Sequence, residues 1–230
     1  MLQRTPLPRT AQAIAAAELR DAIIRGDLAP GARIRQEATA QELGISLIPI
    51  REALKTLASE GVVTYHPQRG YFVTELPAEA IADIYLVRDL LERQAEQLAV
   101  PRLTDVDLMA MSDHLREQAR AVEREDAVDM IAANRRFHFT IFGRCDNAWL
   151  MRFVTQLWDT LDPYRVLSYR RMWLEDPERH VPAEILTEHQ RILDALQRRR
   201  TDRALHLLER HRTRSATFLR VLVSPPAADT

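Results

Sequence analysis

Apolar positions over the first 76 residues come in short bursts with clear punctuation. From Ala11 to Arg25 they recur at helical spacing (Ile14, Ala17, Leu19, Ala22, Ile23), and Gly26 follows where a helix C-terminus favours a left-handed residue. Pro30-Gly31 marks a turn, and Glu37 to Leu43 reads as a short second helix ended by Gly44. Ser46 stands in an N-cap position, Pro49 to Ser59 reads as a third helix, and Gly61 stops it. Two β-patterned runs follow, Val62 to Tyr65 and Tyr71 to Thr74, joined by the turn-rich His66-Pro67-Gln68-Arg69-Gly70. Three helices and a hairpin, with a glycine break between the second and third helices, predict a winged helix-turn-helix over residues 1–76.

From Ala78 the pattern changes and no strand is predicted. Apolar residues recur at helical spacing at Ile81, Ile84, Val87, Leu90, Leu91 and Leu98, then at Leu108, Met111, Leu115 and Ala119. Further helices are expected near 126–144, 148–171, 181–199 and 202–222. Pro101, Pro163, Pro177 and Pro182 punctuate the series, and Pro163 can equally kink one long helix. The tail Ser224-Pro225-Pro226-Ala227-Ala228 reads as frayed. Residues 77–230 are therefore expected to form an all-α bundle of about six helices, which makes the fold mainly α.

Composition narrows the setting. At 46% hydrophobic and 28% charged residues the chain has the balance of an ordinary globular protein. No apolar run approaches the roughly 20 residues a membrane span requires, and Glu18 and Arg20 interrupt the Ala-rich N-terminal stretch. A lone cysteine, Cys145, rules out an internal disulfide or a thiolate cluster and suits a reducing compartment, so a cytoplasmic protein is expected. Net charge is −1, and residues 1–76 carry nine basic against eight acidic side chains. Any nucleic-acid contact must come from local placement of basic groups.

That placement is suggestive. A recognition helix presents its first turns to base edges, while a wing and flanking basic groups hold phosphates. The candidates are Ser46, Leu47, Ile48 and Arg51 on the third helix, Arg33 and Arg35 before the second, and Arg69 and Gly70 at the wing tip. Arg51 can pair with guanine O6 and N7, and Gly70 lets the wing backbone approach closely. The alternative is a small structural unit in which Arg51 pairs with Glu52 or Glu37.

A second constellation lies in the helical half. Asn134 and His138, four residues apart, share a helix face and can reach one ion. His189 and His211 fall on later helices. Three imidazoles and an amide oxygen suit Zn²⁺, Ni²⁺ or Mn²⁺ inside a bundle. His114, His180 and His206 read as ordinary surface or partly packed residues. Two alternatives stand beside the metal site. One is a hydrogen-bonded histidine core. The other is a catalytic zinc, for which the chain offers no HExxH, although Glu188 precedes His189.

The segments LRDAIIRGDLAPGARI, QELGIS, PIREALKTLASEGVV and RGYFV, in this order, closely resemble the winged-helix domain of GntR-family regulators. Family members usually carry arginine where this chain has Leu47, and threonine or serine where it has Ile48. Leu47 and Ile48 cannot hydrogen-bond but can pack on a thymine methyl. VRDLLERQAEQLA, NRRFHFTIF, EHQRILDAL and LLERH, within residues 81–222, resemble the FadR-type FCD domain in its shorter, VanR-like form. The resemblance implies a non-enzymatic transcription regulator, most simply a repressor, that binds double-stranded operator DNA as a homodimer. It also implies a divalent metal held by Asn134, His138, His189 and His211 at the floor of an effector pocket. Arg88 would lie nearby, and the effector would be a small organic acid. Aspartate is the more usual first ligand, so Asn134 removes a negative charge and leaves the site more positive.

Overall fold

The computed structural model describes residues 10–175 and 181–223. Pro177, His180 and the tail from Ser224 lie outside the described residues. The chain divides between Glu75 and Leu76 into two compact units.

The first unit opens with α1 (Ala11–Ile24), whose N-terminus is capped by Thr10 Oγ1 accepting the Ala13 N–H at 3.2 Å. There follow β1 (Arg33–Ile34), α2 (Gln36–Leu43), α3 (Leu47–Ser59), β2 (Val63–His66) and β3 (Gly70–Val73). The strands form one antiparallel sheet in the order β1-β3-β2, with Arg33 opposite Phe72 and Val63 opposite Val73. The hairpin and three helices match the sequence pattern. The two-residue β1 was not anticipated, because a strand that short shows no alternation to read. The third helix begins two residues earlier than its apolar pattern suggested, which places Pro49 in its first turn, where a missing N–H costs nothing. Ser46 holds the N-cap position but its side chain makes no capping hydrogen bond. Gly44, left-handed at φ 65°, ends α2 and turns the chain into α3. Leu19 and Ile23 of α1 pack on Ile50, Leu54 and Leu57 of α3 and on Val63 and Val73 of the sheet. Burying one face of α3 this way turns its opposite face outward.

The second unit contains, among the described residues, six α-helices, as the pattern predicted. They are α4 (Ala78–Ala99), α5 (Asp105–Glu123), α6 (Ala127–Phe142), α7 (Ala148–Glu175), α8 (Val181–Gln197) and α9 (Thr201–Val223), with a 3₁₀ turn at Val100–Arg102. Pro163 sits inside α7 and does not end it. The largest core cluster gathers Phe137, Ile141 and Phe142 of α6, Trp158 of α7, Ile192 of α8 and Leu208 of α9.

The start of α5 is fixed by a reciprocal cap. The Thr104 N–H donates to Asp107 Oδ2 at 2.8 Å, the Asp107 N–H donates back to Thr104 Oγ1, and Arg144 Nη2 binds Asp107 Oδ1 at 2.7 Å. Burial works to raise the Asp107 pKa, but the hydrogen bonds from Arg144 and Thr104 outweigh it and hold the carboxyl down at about 2. A depressed folded-state pKa contributes stability that is complete above the unfolded value and is lost as pH falls toward the folded one. Asp107→Asn should therefore destabilise the protein at pH 7 by on the order of 1 kcal/mol. Thermal melts from pH 7 down to pH 2 should show the gap from the parent closing below about pH 4. A gap that does not change with pH would contradict an ionic role for Asp107.

Candidate functional site

Two constellations emerge, one in each unit. On the first, Ser46, Ile48 and Arg51 are exposed at the start of α3 and Leu47 is half-buried. Ile48 is 73% exposed, a large apolar side chain offered to solvent on the face opposite the core. Arg51 does not pair with either carboxylate named from the sequence. Its Nε donates to the neutral Gln36 Oε1 at 3.2 Å, and Glu52 instead accepts from Lys55 Nζ at 2.8 Å. The wing turn runs through Gln68 at φ 63° and Gly70 at φ 93°, and at Gly70 such a backbone needs a residue without Cβ. Arg69 is exposed and its guanidinium lies 5.2 Å from the Phe72 ring centre. Arg33 stands directly opposite Phe72 across the sheet and is exposed on the same face. Arg35 is exposed just before α2.

In the second unit, α6 presents Asn134 and His138 one turn apart, α8 brings His189 and α9 brings His211. All four are buried. His138 Nε2 lies 3.1 Å from His189 Nε2, which lies 3.2 Å from His211 Nε2. These three ligand atoms are close enough to share one ion. The outer ring nitrogens are held as well, with His211 Nδ1 2.8 Å from Glu188 Oε2 and His189 Nδ1 2.7 Å from Gln118 Oε1. A carboxylate only accepts, so His211 carries its proton on Nδ1 and turns a lone pair inward from Nε2. The Gln118 oxygen selects the same tautomer of His189. Burial first, and then the neighbouring imidazole of His211, hold His189 well below the usual histidine range. Burial likewise lowers His138, followed by His189 and His211 and then by Arg165 and Arg88. Two inward lone pairs 3.2 Å apart repel unless a cation lies between them. This donor set fits a divalent metal, with Glu188 and Gln118 orienting the ligands from behind.

The same cavity is lined by Arg88 and Glu92 of α4, Asn134 and His138 of α6, Trp158 and Arg165 of α7, and His211 and Arg212 of α9. Arg88 Nε donates to Glu92 Oε1 at 2.6 Å, and its guanidinium lies 4.5 Å from the Trp158 ring centre and 4.9 Å from that of Tyr85. Trp158 Nε1 donates to the same Glu92 oxygen at 2.7 Å. Arg165 donates to Asp162 Oδ1 and Tyr85 Oη, each at 3.2 Å. Arg212 Nη1 reaches both Glu96 oxygens at 2.6 Å, and its Nε reaches Asp89 at 3.0 Å. Buried Arg88 Nη1 and Arg212 Nη2 find no hydrogen-bond partner among the described residues.

All of the sequence-derived metal candidates and Arg88 thus meet in one region. Sequence reasoning missed Arg165, Arg212, Trp158, Glu92 and Gln118, and it noted Glu188 only as the neighbour of His189, not as the partner of His211. Trp158 and Arg165, seven residues apart, share a helix face, a signal that was present in the sequence. Arg212 had no such signal, since the residue next to a ligand on a helix points about 100° away from it.

A helix-turn-helix with a wing, followed by a helical bundle that encloses a polar cavity, is the layout of a DNA-binding transcription regulator. Residues 11–73 match the gntR family of bacterial regulatory proteins and residues 83–214 match the FCD domain. The chain belongs to the GntR family and carries an FCD domain. It is 27% identical to the HTH-type regulator YdhC of Bacillus subtilis over 81% of each chain. It is 30% identical to the gluconate operon transcriptional repressor of the same organism, over 84% of this chain and 78% of that one. It is 33% identical to the regulator McbR of Escherichia coli, over 64% of this chain and 66% of McbR. The solved McbR structure superposes with a TM-score of 0.81 at 26% identity, covering 91% of this chain and 97% of that one. These relatives and both families are transcription regulators, and the protein is a DNA-binding regulator, not an enzyme. Among the described residues no helix is long and apolar enough to cross a membrane.

Protein freed of metal by chelation should lose stability on acidification. His138 and His189 stay neutral when folded and take up protons when unfolded, so below about pH 6.5 the unfolded chain binds more protons and folding weakens. Tm measured from pH 8 to pH 5 should be level above pH 7 and fall below about 6.5. A level curve down to pH 5 would overturn this reading of the histidines.

Proposed function

We propose that this regulator is a cytoplasmic repressor whose hold on operator DNA is set by a small organic acid bound at a divalent metal. In this reading residues 1–76 bind DNA, and residues 77–230 bind metal and effector and join two chains into a homodimer. The metal is Zn²⁺, Ni²⁺ or Mn²⁺, held by Asn134, His138, His189 and His211. The observation that carries the proposal is the convergence of three imidazole Nε2 atoms, two of them from cavity-lining His138 and His211, beside a wall where Arg88 Nη1 has no partner among the described residues. A carboxylate would complete the coordination of the ion with one oxygen and take the Arg88 N–H with the other. A repressor is the reading favoured by the likeness to the gluconate operon repressor.

On DNA, Ser46, Leu47, Ile48 and Arg51 face base edges, and Arg33, Arg35, Arg69 and the backbone at Gly70 hold phosphates and the adjacent groove. Leu47 and Ile48 read thymine methyls where hydrogen bonds would otherwise form. Effector binding shifts how the two helical units are arranged in the dimer, and so the separation of two recognition helices that must meet half-sites about one helical turn apart.

Selection from a random duplex pool, at low salt with zinc supplied, should enrich a short inverted repeat containing thymines. Arg51→Ala should then weaken binding to the selected site by about 1–3 kcal/mol and relax its sequence preference. Failure to enrich any sequence would sink the operator reading. His138→Ala and His189→Ala should leave binding without effector largely intact while abolishing release by small carboxylates. A mutant that still responded normally would remove the metal from the mechanism.

A further inference from the structure

The charges around the cavity can be counted pair by pair. Arg88 faces Glu92, Arg165 faces Asp162 and Arg212 faces Glu96, and all six are buried. Each pair cancels. Half-exposed Asp89, which also contacts Arg212, is shared with Arg93. Glu188, behind His211, is offset by Arg214 Nη1 at 2.8 Å. The cavity wall therefore contributes almost no net charge. The ligand set contributes none either, because imidazoles coordinate as neutral rings and Asn134 is an amide. A carboxylate at position 134 would leave one positive charge on a divalent ion. Asn134 leaves two.

Two uncompensated charges in a buried, low-dielectric site are costly, and a monocarboxylate neutralises only one of them. Of the three buried donors without a partner among the described residues, Arg88 Nη1 on α4 and Arg212 Nη2 on α9 belong to residues of the same cavity wall, and Gln118 Nε2 does not. A buried guanidinium N–H without a partner is expensive to keep, and an acceptor that reaches it gains the corresponding energy. One acid group on the metal still leaves donors for another.

We infer that the pocket selects a short dicarboxylate over the matching monocarboxylate, with one carboxylate shared by the metal and Arg88 and the second on the free Nη2 group of Arg212. This rests on the metal reading above and goes beyond it. Asn134 sets the charge the ligand must bring, and Arg212 is a specificity-determining residue that receives the second acid group. Neither role needs new chemistry, only electroneutrality in a confined space.

The test begins with calorimetric titration of zinc into the chelated full-length protein, which should show one tight site per chain. No zinc uptake would overturn both the metal reading and this inference. Succinate against butyrate, and malate against 2-hydroxybutyrate, are then titrated into the zinc-loaded protein. The diacid of each pair should bind more tightly by about tenfold or more. Asn134→Asp should tighten zinc and bring the diacid-to-monoacid ratio close to one. Arg212→Lys keeps the charge facing Glu96 but removes the guanidinium fork, and should weaken succinate while leaving zinc affinity and butyrate affinity unchanged. Zinc uptake with equal or tighter monoacid binding would overturn the dicarboxylate inference and leave the metal reading standing. Tighter binding of inorganic phosphate than of either diacid would also overturn it, since a compact dianion would then be the better fit.

Discussion

Three imidazole nitrogens turned toward one another inside a helical bundle are the constraint around which the second unit is organised. Lone pairs held 3.2 Å apart in a region that disfavours protonation are not stable neighbours by themselves. They are kept there because the other side of each ring is tied down. Glu188 of α8, the neighbour of His189, fixes His211, and Gln118 of α5, a helix that adds no histidine to the cluster, fixes His189. Phe137 stacks on the His189 ring with centroids 4.5 Å apart, and Trp158 packs against His138 at 5.4 Å. The core and the polar site are therefore one structure. The aromatic residues that exclude water also hold the imidazoles in place.

Much of this was legible in the sequence, for a definite reason. Helices advertise themselves by a period of 3.6, and each C-terminal helix spans several turns, so the six-helix pattern could be read without knowing the packing. The glycines at 44 and 61 marked turns because both take positive φ, a conformation few other residues adopt. The pairing of Asn134 with His138 needed only i, i+4 geometry. What could not be read was anything that depends on which helices become neighbours. That Arg212 turns into the cavity wall, and that Gln118 lies 71 positions from the histidine it orients, follow from packing alone. Strand β1 was invisible because a two-residue strand exists only through its partner, β3.

The DNA-facing unit presents the opposite situation. Its fold is built from local signals, yet Leu47 and Ile48, two of the residues proposed to face bases, are apolar. A surface that leaves Ile48 73% exposed tolerates an apolar side chain where water would otherwise be met by a polar one. Stability gives no reason for isoleucine there, so any advantage lies in what covers it. The sheet also sets Arg33, opposite Phe72, on the face where the Arg69 guanidinium packs on the Phe72 ring, so that it does more than close the core.

Pro163 lies in the middle of α7, between Trp158 and Arg165, and both of those side chains help to line the cavity. Proline has no N–H to give to the preceding turn, so the ladder of helical hydrogen bonds has one rung fewer at that point. The helix thereby becomes two stiff rods joined at a softer joint, with Trp158 on the first and Arg165 and Tyr169 on the second. Widening the cavity to admit a guest then requires a small change of angle at the joint, and neither rod has to be displaced bodily from the bundle. A continuous helix would have transmitted any such opening along its whole 28-residue length. The joint falls between Trp158, packed on His138, and the two later cavity residues, Arg165 and Tyr169.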